Sequence, residues 1–460
     1  MRHSLVISVL LVLGALTPPA TAETRKPNIL FIVADDLGYG DLSIHGCKDI
    51  PTPKIDSIAK NGVRCTSGYV SGPYCSPTRA GLLTGRYQQR YGHEFNPGAK
   101  LDNPEIGLPL TETTLADRLK AAGYRTGLVG KWHLGYADKF VPTSRGFEEF
   151  FGFLGGAHPY SPGPKGHRGI LRGTKEVEEH EYLTDVFARE AIAYLDRHAK
   201  EPFFLYLCFN AVHGPMHASE KYAKRFESIT DEKRRTYATM LTALDDAVGQ
   251  VLAKLAALGI ADDTLIAFIS DNGGPEPVNA SDNGQLNGGK ATTWEGGIRV
   301  PYFVQWKNGK LPAGTTYDHP VIQLDLAPTV LAASGVPVNP EWKLDGVNLL
   351  PHLRGETKEA PHAALYWRFG GQMAIRAGDW KLTKAVTGGG RAGGGGAAAR
   401  RDKATVEGAK LFNLKDDTGE QSDLAAKFPD KVKELAAIWQ KWNGELAEPL
   451  WGPPVNKKKD

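Results

Sequence analysis

Short apolar runs, each closed by a polar cluster, alternate along this chain with stretches whose apolar residues recur at helical spacing. Asn28–Val33 is the first run, and it ends in Asp35-Asp36 and the turn Leu37-Gly38. Thr111–Ala122 predicts a helix, with Leu115, Leu119 and Ala122 on one stripe and Gly123 suited to its C′ position. Tyr124–Val129 predicts a short strand. Phe203–Phe209, bounded by Pro202 and Asn210, is continuously apolar, as expected of a strand covered on both faces. Asp231–Leu258 predicts a long helix striped by Leu241, Leu244, Val248, Leu252 and Leu255. Thr264–Ile269 predicts another buried strand, closing in Ser270-Asp271-Asn272-Gly273-Gly274. Strands alternating with helices, with polar clusters just past the strand ends, predict an α/β fold whose site lies at the carboxyl ends of the strands. No internal repeat interrupts this plan. A seam rich in Pro, Gly and charge falls near Leu350–Ala360. Beyond it Ala364–Arg368, Gln372–Ile375 and Trp380–Leu382 predict a small antiparallel sheet, and Pro429–Leu446 a closing helix. Thr387–Lys403 is a Gly/Ala/Arg low-complexity loop, and Lys457–Lys459 a solvated tail.

The first 22 residues stand apart. Arg2 and His3 precede the apolar stretch Leu5–Leu16, Pro18 and Pro19 break it, and Ala20-Thr21-Ala22 is a small-x-small cleavage signal. The stretch is short for a bilayer span and reads as a secretory signal peptide, so the chain is expected to be exported, periplasmic or secreted. No later apolar run is long enough to span a membrane. The 460 residues carry 55 Lys+Arg and 52 Asp+Glu, a balance that excludes a global field for nucleic acid or acidic lipid. The composition also excludes a disordered chain, a coiled coil and a collagen-like protein. Four cysteines are too few for a disulfide scaffold in so long a chain. Cys208, inside an apolar run, reads as a buried thiol, and Cys47 and Cys65 are a candidate pair. The single sequon, Asn279-Ala280-Ser281, favours a bacterial exported protein over a glycosylated eukaryotic one.

The densest chemical signal is Cys75-Ser76-Pro77-Thr78-Arg79, continued by Ala80-Gly81-Leu82-Leu83-Thr84-Gly85-Arg86. Three residues between Cys and Arg are too few for a phosphatase-type thiol loop, and the neighbours are not those of a papain-type Cys. The run resembles the Cys-x-Pro-x-Arg signature of the type I sulfatases, with that family's Leu-Thr-Gly-Arg extension. Companion motifs follow in the family's order. Asn28–Asp36 resembles its first strand and acid pair, Gly130-Lys131-Trp132-His133-Leu134-Gly135 its Gly-Lys-Trp-His block, and His213-Gly214-Pro215 its second histidine. Ser270–Gly274 resembles its second metal block, and Gly289-Lys290 with Glu295–Pro301 its late lysine loop. The resemblance spans about residue 26 to 440.

The chemistry suits these residue types. A sulfate monoester is an anion whose bridging oxygen leaves with growing negative charge. Its cleavage calls for a hard cation, further positive charge and a proton donor. The resemblance implies that Cys75 is oxidised to formylglycine by a formylglycine-generating or equivalent maturation enzyme. One hydroxyl of the hydrated aldehyde would then attack, and the other would let the intermediate collapse. It further implies one Ca²⁺, or Mg²⁺, held by Asp35, Asp36, Asp271, Asn272 and an oxygen of modified Cys75, an oxygen-only donor set. Arg79 and Lys131 would hold the hydrate and neutralise charge, and His133 would act as base when sulfate is expelled. Lys290 would contact the sulfate and His213 the ester oxygen, one or both protonating the leaving alcohol. Asp271 is the candidate for deprotonating the attacking hydroxyl. The pairs Asp245-Asp246, Asp262-Asp263 and Asp416-Asp417 lack such context and read as structural or solvated.

The resemblance implies an alkaline-phosphatase-like fold: a signal peptide at 1–22, a catalytic domain at 23–355 with a large mixed sheet between helices, and a C-terminal subdomain at 356–460 with an antiparallel sheet and a helix. The Gly-rich loop at 387–403 falls in that subdomain. Arg145-Gly146-Phe147 through His158-Pro159-Tyr160 resembles the branch of N-acetylgalactosamine-6-sulfatases and arylsulfatase A-like carbohydrate sulfatases. A sulfated glycan or sugar is the expected substrate. His93 and His158 are candidates for the pocket wall, and Tyr160, Trp294 and Trp367 for stacking on a sugar or for the core. Alternatives are a phosphomonoester or phosphonate hydrolase on the same scaffold, a non-catalytic glycan-binding relative, and a transferase using the unmodified thiol.

Overall fold

The computed structural model describes residues 26–98, 103–386 and 403–452. The expected signal peptide, the 387–402 part of the Gly-rich loop and the lysine tail lie outside the described residues. Strands β1 (Asn28–Ala34), β2 (Val63–Cys65), β3 (Gly68–Tyr69), β4 (Arg125–Lys131), β5 (Glu149–Phe153), β6 (His167–Arg172) and β7 (Lys175–Glu179) are followed by β8 (Phe203–Cys208), β9 (Thr264–Ser270), β10 (Tyr302–Gln305), β11 (Thr315–Tyr317) and β12 (Val321–Ile322). All but β3 and β12, which pair with each other, build one ten-stranded sheet in the order β11-β2-β10-β9-β1-β8-β4-β5-β6-β7. Its centre, β9-β1-β8-β4-β5, is parallel, while β10 and the β6–β7 hairpin join it antiparallel.

Every residue of β1 is buried, and the strand divides its side chains between two cores. Leu30, Ile32 and Ala34 pack under helices α1 (Pro53–Lys60), α4 (Leu183–His198) and α5 (Glu232–Ala257). Ile29, Phe31 and Val33 pack under α2 (Cys75–Thr84), α3 (Leu115–Ala121) and the helix Leu326–Ala333. A strand covered on both faces has no polar alternation, which is why these runs read as continuously apolar. Register aligns the strand ends, with Ala34 opposite Ser270 and Val33 opposite Cys208. The polar residues that follow each strand therefore converge.

The predicted elements recur with small shifts. The helix expected from Thr111 begins at Leu115, because Thr114 caps it: its Oγ1 accepts from Asp117 N at 3.1 Å, and Asp117 accepts from Thr114 N at 2.9 Å. Cys47 and Cys65 are unpaired. Cys47 packs on the α1/α5 side of the sheet and Cys65 is buried on the other, so the sheet itself separates them.

The last four strands, β13 (Leu365–Phe369), β14 (Gln372–Ala377), β15 (Trp380–Lys384) and β16 (Lys410–Asn413), form a second, wholly antiparallel sheet. The final helix Pro429–Asn443 lays Leu435, Trp439 and Trp442 on it. Buried polar contacts join this sheet to the rest: Trp367 Nε1 donates to Val70 O at 2.7 Å, and Lys381 Nζ reaches Glu295 at 2.9 Å and Glu420 at 2.8 Å.

Asp245, read as structural, caps another element from outside. Its Oδ1 accepts from Lys54 N at 3.0 Å and Ile55 N at 2.8 Å, in the first turn of α1. Burial raises its carboxyl from 3.8 to about 6. The folded state thus holds the proton more tightly than the unfolded chain. The stabilisation from that proton is complete below about pH 4 and is lost as pH rises through about 6. Asp245→Asn keeps the Oδ1 acceptor without the charge, so it should gain about 1–3 kcal/mol on the wild type between about pH 4 and pH 7.5. Asp245→Ala should cost about 1–2 kcal/mol at neutral pH. Melting temperatures at the two pH values check both, and an Asn-minus-wild-type difference independent of pH rules the linkage out.

Candidate functional site

Cys75 opens helix α2, with Tyr74 extended before it, so Cys75 and Arg79 fall one turn apart on one face. Pro77 sits in the first turn, where no intrahelical partner for its missing N–H is needed. Asp35 and Asp36 follow β1, Asp271 and Asn272 follow β9, and Lys131 ends β4. Asp36 N donates to Asp271 Oδ1 at 3.3 Å, and Asp271 N to Ala34 O at 3.0 Å, locking the two strand ends together.

The charges interlock. Arg79 Nε and Nη2 donate to Asp271 Oδ2 at 3.0 and 2.7 Å, and Nη2 lies 3.8 Å from Asp35. Lys131 Nζ donates to Asp35 Oδ2 at 2.5 Å, and Lys290 Nζ meets Asp36 at 2.6 Å. Three buried carboxylates thus face two buried cations, Arg79 and Lys131, and the part-buried Lys290. Burial works to raise Asp35, but Lys131 and His213 more than offset it and leave it below the usual carboxylate range. Burial likewise works against Asp36, and Lys290 and His213 bring it below that range. Burial pushes the Cys75 thiol up to about 12.

His133 adopts a left-handed backbone, φ +62°. Its N donates to Leu154 O at 3.1 Å and its O accepts from Ser76 Oγ at 2.6 Å. Its ring is buried, with Nδ1 unpartnered, and burial followed by Lys131 and Arg79 holds it well below the usual histidine value. Gly156 lies against that ring, and a Cβ there would fall 2.6 Å from Nε2. His213 donates Nδ1–H to Gly214 O at 2.5 Å, which turns Nε2 toward Asp36 at 3.6 Å. A cavity of about 770 Å³ opens over these groups, lined by Tyr74, His133, Tyr136, His158, His213 and Lys290 among others.

The ten sequence-predicted residues come together, and the residues weighed between pocket and core divide. His158 lines the cavity. His93 does not: it is wholly buried, with Nε2 2.6 Å from Ser76 Oγ and its ring against Trp451. Tyr160, Trp294 and Trp367 are core, their polar tips bonded to backbone carbonyls. Sequence alone assigns no role to Tyr136, nor to Gly156 and Ser76 within their motifs, and marks Asn279 only as a sequon, whereas its amide donates to Val212 O at 3.3 Å. Asn279 is buried, so the sequon is a structural residue here.

The donor set fits a divalent cation. Ligand atoms of Asp35, Asp36, Cys75 and His213 lie within 4.8 Å of one another, and Asn272 Oδ1 is buried with no hydrogen-bond partner while its Nδ2 donates to Asp36 at 2.7 Å. The oxygen donors of this set, the carboxylates of Asp35 and Asp36 and the free Oδ1 of Asn272, suit a hard divalent cation, while Cys75 and His213 bring a sulfur and a nitrogen beside them.

Comparison with known proteins agrees with this geometry. The family model described as Sulfatase matches residues 27–336. Mouse arylsulfatase J is 32% identical over 95% of this chain and 79% of its own length. Mouse N-acetylgalactosamine-6-sulfatase is 35% identical over 81% of this chain and 75% of its own. The solved structure of Ps i-CgsB in complex with k-i-k-neocarrahexaose superposes with a TM-score of 0.84 at 34% identity, covering 94% of this chain and 96% of that one. With the alkaline-phosphatase-like fold and the motif residues gathered at its strand ends, the chain belongs to the sulfatase family, the sulfuric ester hydrolases.

Proposed function

We propose that this enzyme hydrolyses a sulfate ester on a sulfated glycan or sugar, using a formylglycine made from Cys75. The observation that carries the reading is Cys75 at the start of a buried helix, its Sγ 3.6 Å from Asp35 Oδ1, next in the chain to the cavity-lining Tyr74 and among Lys131, Lys290 and Asp271. The sugar rests on the names of relatives: an N-acetylgalactosamine-6-sulfatase, and a protein solved with a neocarrahexaose.

When bound, Ca²⁺ or Mg²⁺ would supply Lewis acidity toward a sulfate oxygen, and the hydrated aldehyde would supply the attacking hydroxyl. Asp35, Asp36, Asp271 and Asn272 would hold the metal. Arg79 and Lys131, both buried and cationic, would orient the hydrate and neutralise charge. Neutral His133 is able to take a proton when sulfate is expelled. Lys290 would meet the sulfate, and Lys290 or His213 would protonate the leaving oxygen. Asp271 is the acceptor for the proton of the attacking hydroxyl. Among the described residues no helix is long and apolar enough to cross a membrane. Export to the periplasm or medium and maturation by a formylglycine-generating enzyme complete the proposal.

Mass spectrometry of the peptide spanning Cys75, from the native exporting cell, is the deciding experiment. Aldehyde with loss of the thiol sulfur is expected, and an intact thiol overturns the mechanism. Matched 4-nitrophenyl esters test the reaction. Sulfate should be turned over at least about tenfold faster in kcat/KM than phosphate, and the reverse order favours the phosphomonoester reading.

A further inference from the structure

We infer that Gln372, on the small antiparallel sheet, is a positioning residue for Lys290. The inference rests on the proposed contact of Lys290 with sulfate. Lys290 lies on a loop between β9 and β10, with Nζ at Asp36 and 5.2 Å from the centre of the Tyr74 ring. The next residue, Ala291, has φ +69°, a left-handed conformation that residues with a Cβ rarely adopt. Something must hold it there. Ala291 N donates to Pro73 O at 2.8 Å, two residues before Cys75. Ala291 O accepts from Gln372 Nε2 at 2.9 Å. The other end of the same amide, Oε1, accepts from Thr293 N at 3.3 Å and from Val386 N at 3.2 Å.

One planar carboxamide therefore clamps both sides of the turn that follows Lys290. Gln372 is 2% exposed, so these bonds compensate the cost of burying its amide. Thr293 Oγ1 adds a bond to Met373 O at 3.3 Å, tying the loop to the same strand. Pro73 fixes the loop to the nucleophile helix, and Gln372 fixes it to the small sheet. The direction in which Lys290 leaves the backbone is set between them. The second sheet, which contributes no residue to the acid-and-cation cluster among the described residues, acts on the reaction through this clamp.

The test is a double-mutant cycle on matured, metal-loaded enzyme, read with 4-nitrophenyl sulfate and with inorganic sulfate as a competitive inhibitor. Lys290→Ala and Gln372→Ala should each lower kcat/KM, the latter by about 10- to 100-fold, because a displacement near 1 Å costs about that much. Both should weaken inhibition by inorganic sulfate. In the Lys290→Ala background, Gln372→Ala should add less than about twofold. Equal penalties in both backgrounds would mean a structural role independent of the lysine and overturn the inference. Gln372→Glu serves if the alanine variant does not fold. Its ionised side chain keeps the bonds from Thr293 and Val386 but cannot donate to Ala291, so the same direction of loss is expected, and wild-type sulfate inhibition overturns the inference. If Lys290→Ala alone changes neither activity nor sulfate inhibition, the reading of Lys290 fails and this inference with it. If Lys290→Ala is impaired and Gln372→Ala is not, only the positioning role is lost.

Discussion

Cys75→Ala is expected to lower turnover of 4-nitrophenyl sulfate by about 10⁴-fold or more, since the proposed mechanism takes its attacking atom from this residue. The same change should leave the fold intact. Cys75 is the first residue of α2, its side chain is small, and its polar contact is the weak 3.6 Å approach to Asp35. Alanine is the better helix former, which offsets part of the buried sulfur lost, so the melting temperature should move by only a few degrees. Cys75→Ser sharpens the test. Serine offers one hydroxyl where the hydrated aldehyde offers two, so it has an atom to attack with but no second hydroxyl to drive collapse. It should release no more than one equivalent of alcohol per enzyme and then stall. Steady turnover by the serine variant, or a tenth of wild-type activity in the alanine variant, would place the nucleophile elsewhere.

The central strands and the motif residues were legible because both are local. A strand buried on two faces is a continuous apolar run, and β1, β8 and β9 are such runs. The ten proposed site residues sat in blocks whose order matched a family. What stayed hidden depends on residues distant in sequence. Strands β2 and β10 are short, and only their pairing with each other and with β9 makes them part of the sheet. His93 looked like His158, yet one is sealed beneath Ser76 and the other faces the cavity, a difference set by packing rather than by neighbours in sequence. The left-handed backbones at Asp36, His133 and Ala291 carry no glycine to announce them. They are held by contacts from afar: Asp271 on Asp36 N, Ser76 on His133 O, Gln372 on Ala291 O. Tyr160, Trp294 and Trp367 are core, the favoured reading of their sequence; what the sequence does not show is the backbone carbonyl that receives each polar tip.

Asp36→Asn should remove the metal. Asp36 stands at φ +62°, a conformation asparagine tolerates as aspartate does, so the substitution takes away charge without adding backbone strain. An alanine there would confuse the two. The lost carboxylate is one of three that balance Arg79, Lys131 and Lys290, and it is the partner of Lys290 at 2.6 Å. Without it the cluster carries an uncompensated, largely buried cation beside the place a divalent ion would occupy, and it has one fewer anionic donor. Metal content by elemental analysis should fall from about one ion per chain to near zero after dialysis. With the Lewis acid gone, kcat/KM should fall by at least about 10³-fold, the several kcal/mol a bound cation contributes to a developing anion. Stripping the wild type with a chelator should reproduce that loss, and Ca²⁺ or Mg²⁺ should restore the wild type but not the variant. Full metal content in Asp36→Asn, with turnover within tenfold of wild type, would exclude Asp36 as a ligand. Cys75→Ala removes one proposed ligand, the oxygen of the modified residue, but keeps all three carboxylates and Asn272, so it should still bind metal, more weakly than the wild type, while inactive. The two variants therefore separate loss of the nucleophile from loss of the cation, and only a site in which both meet over Asp35 gives that pair of outcomes.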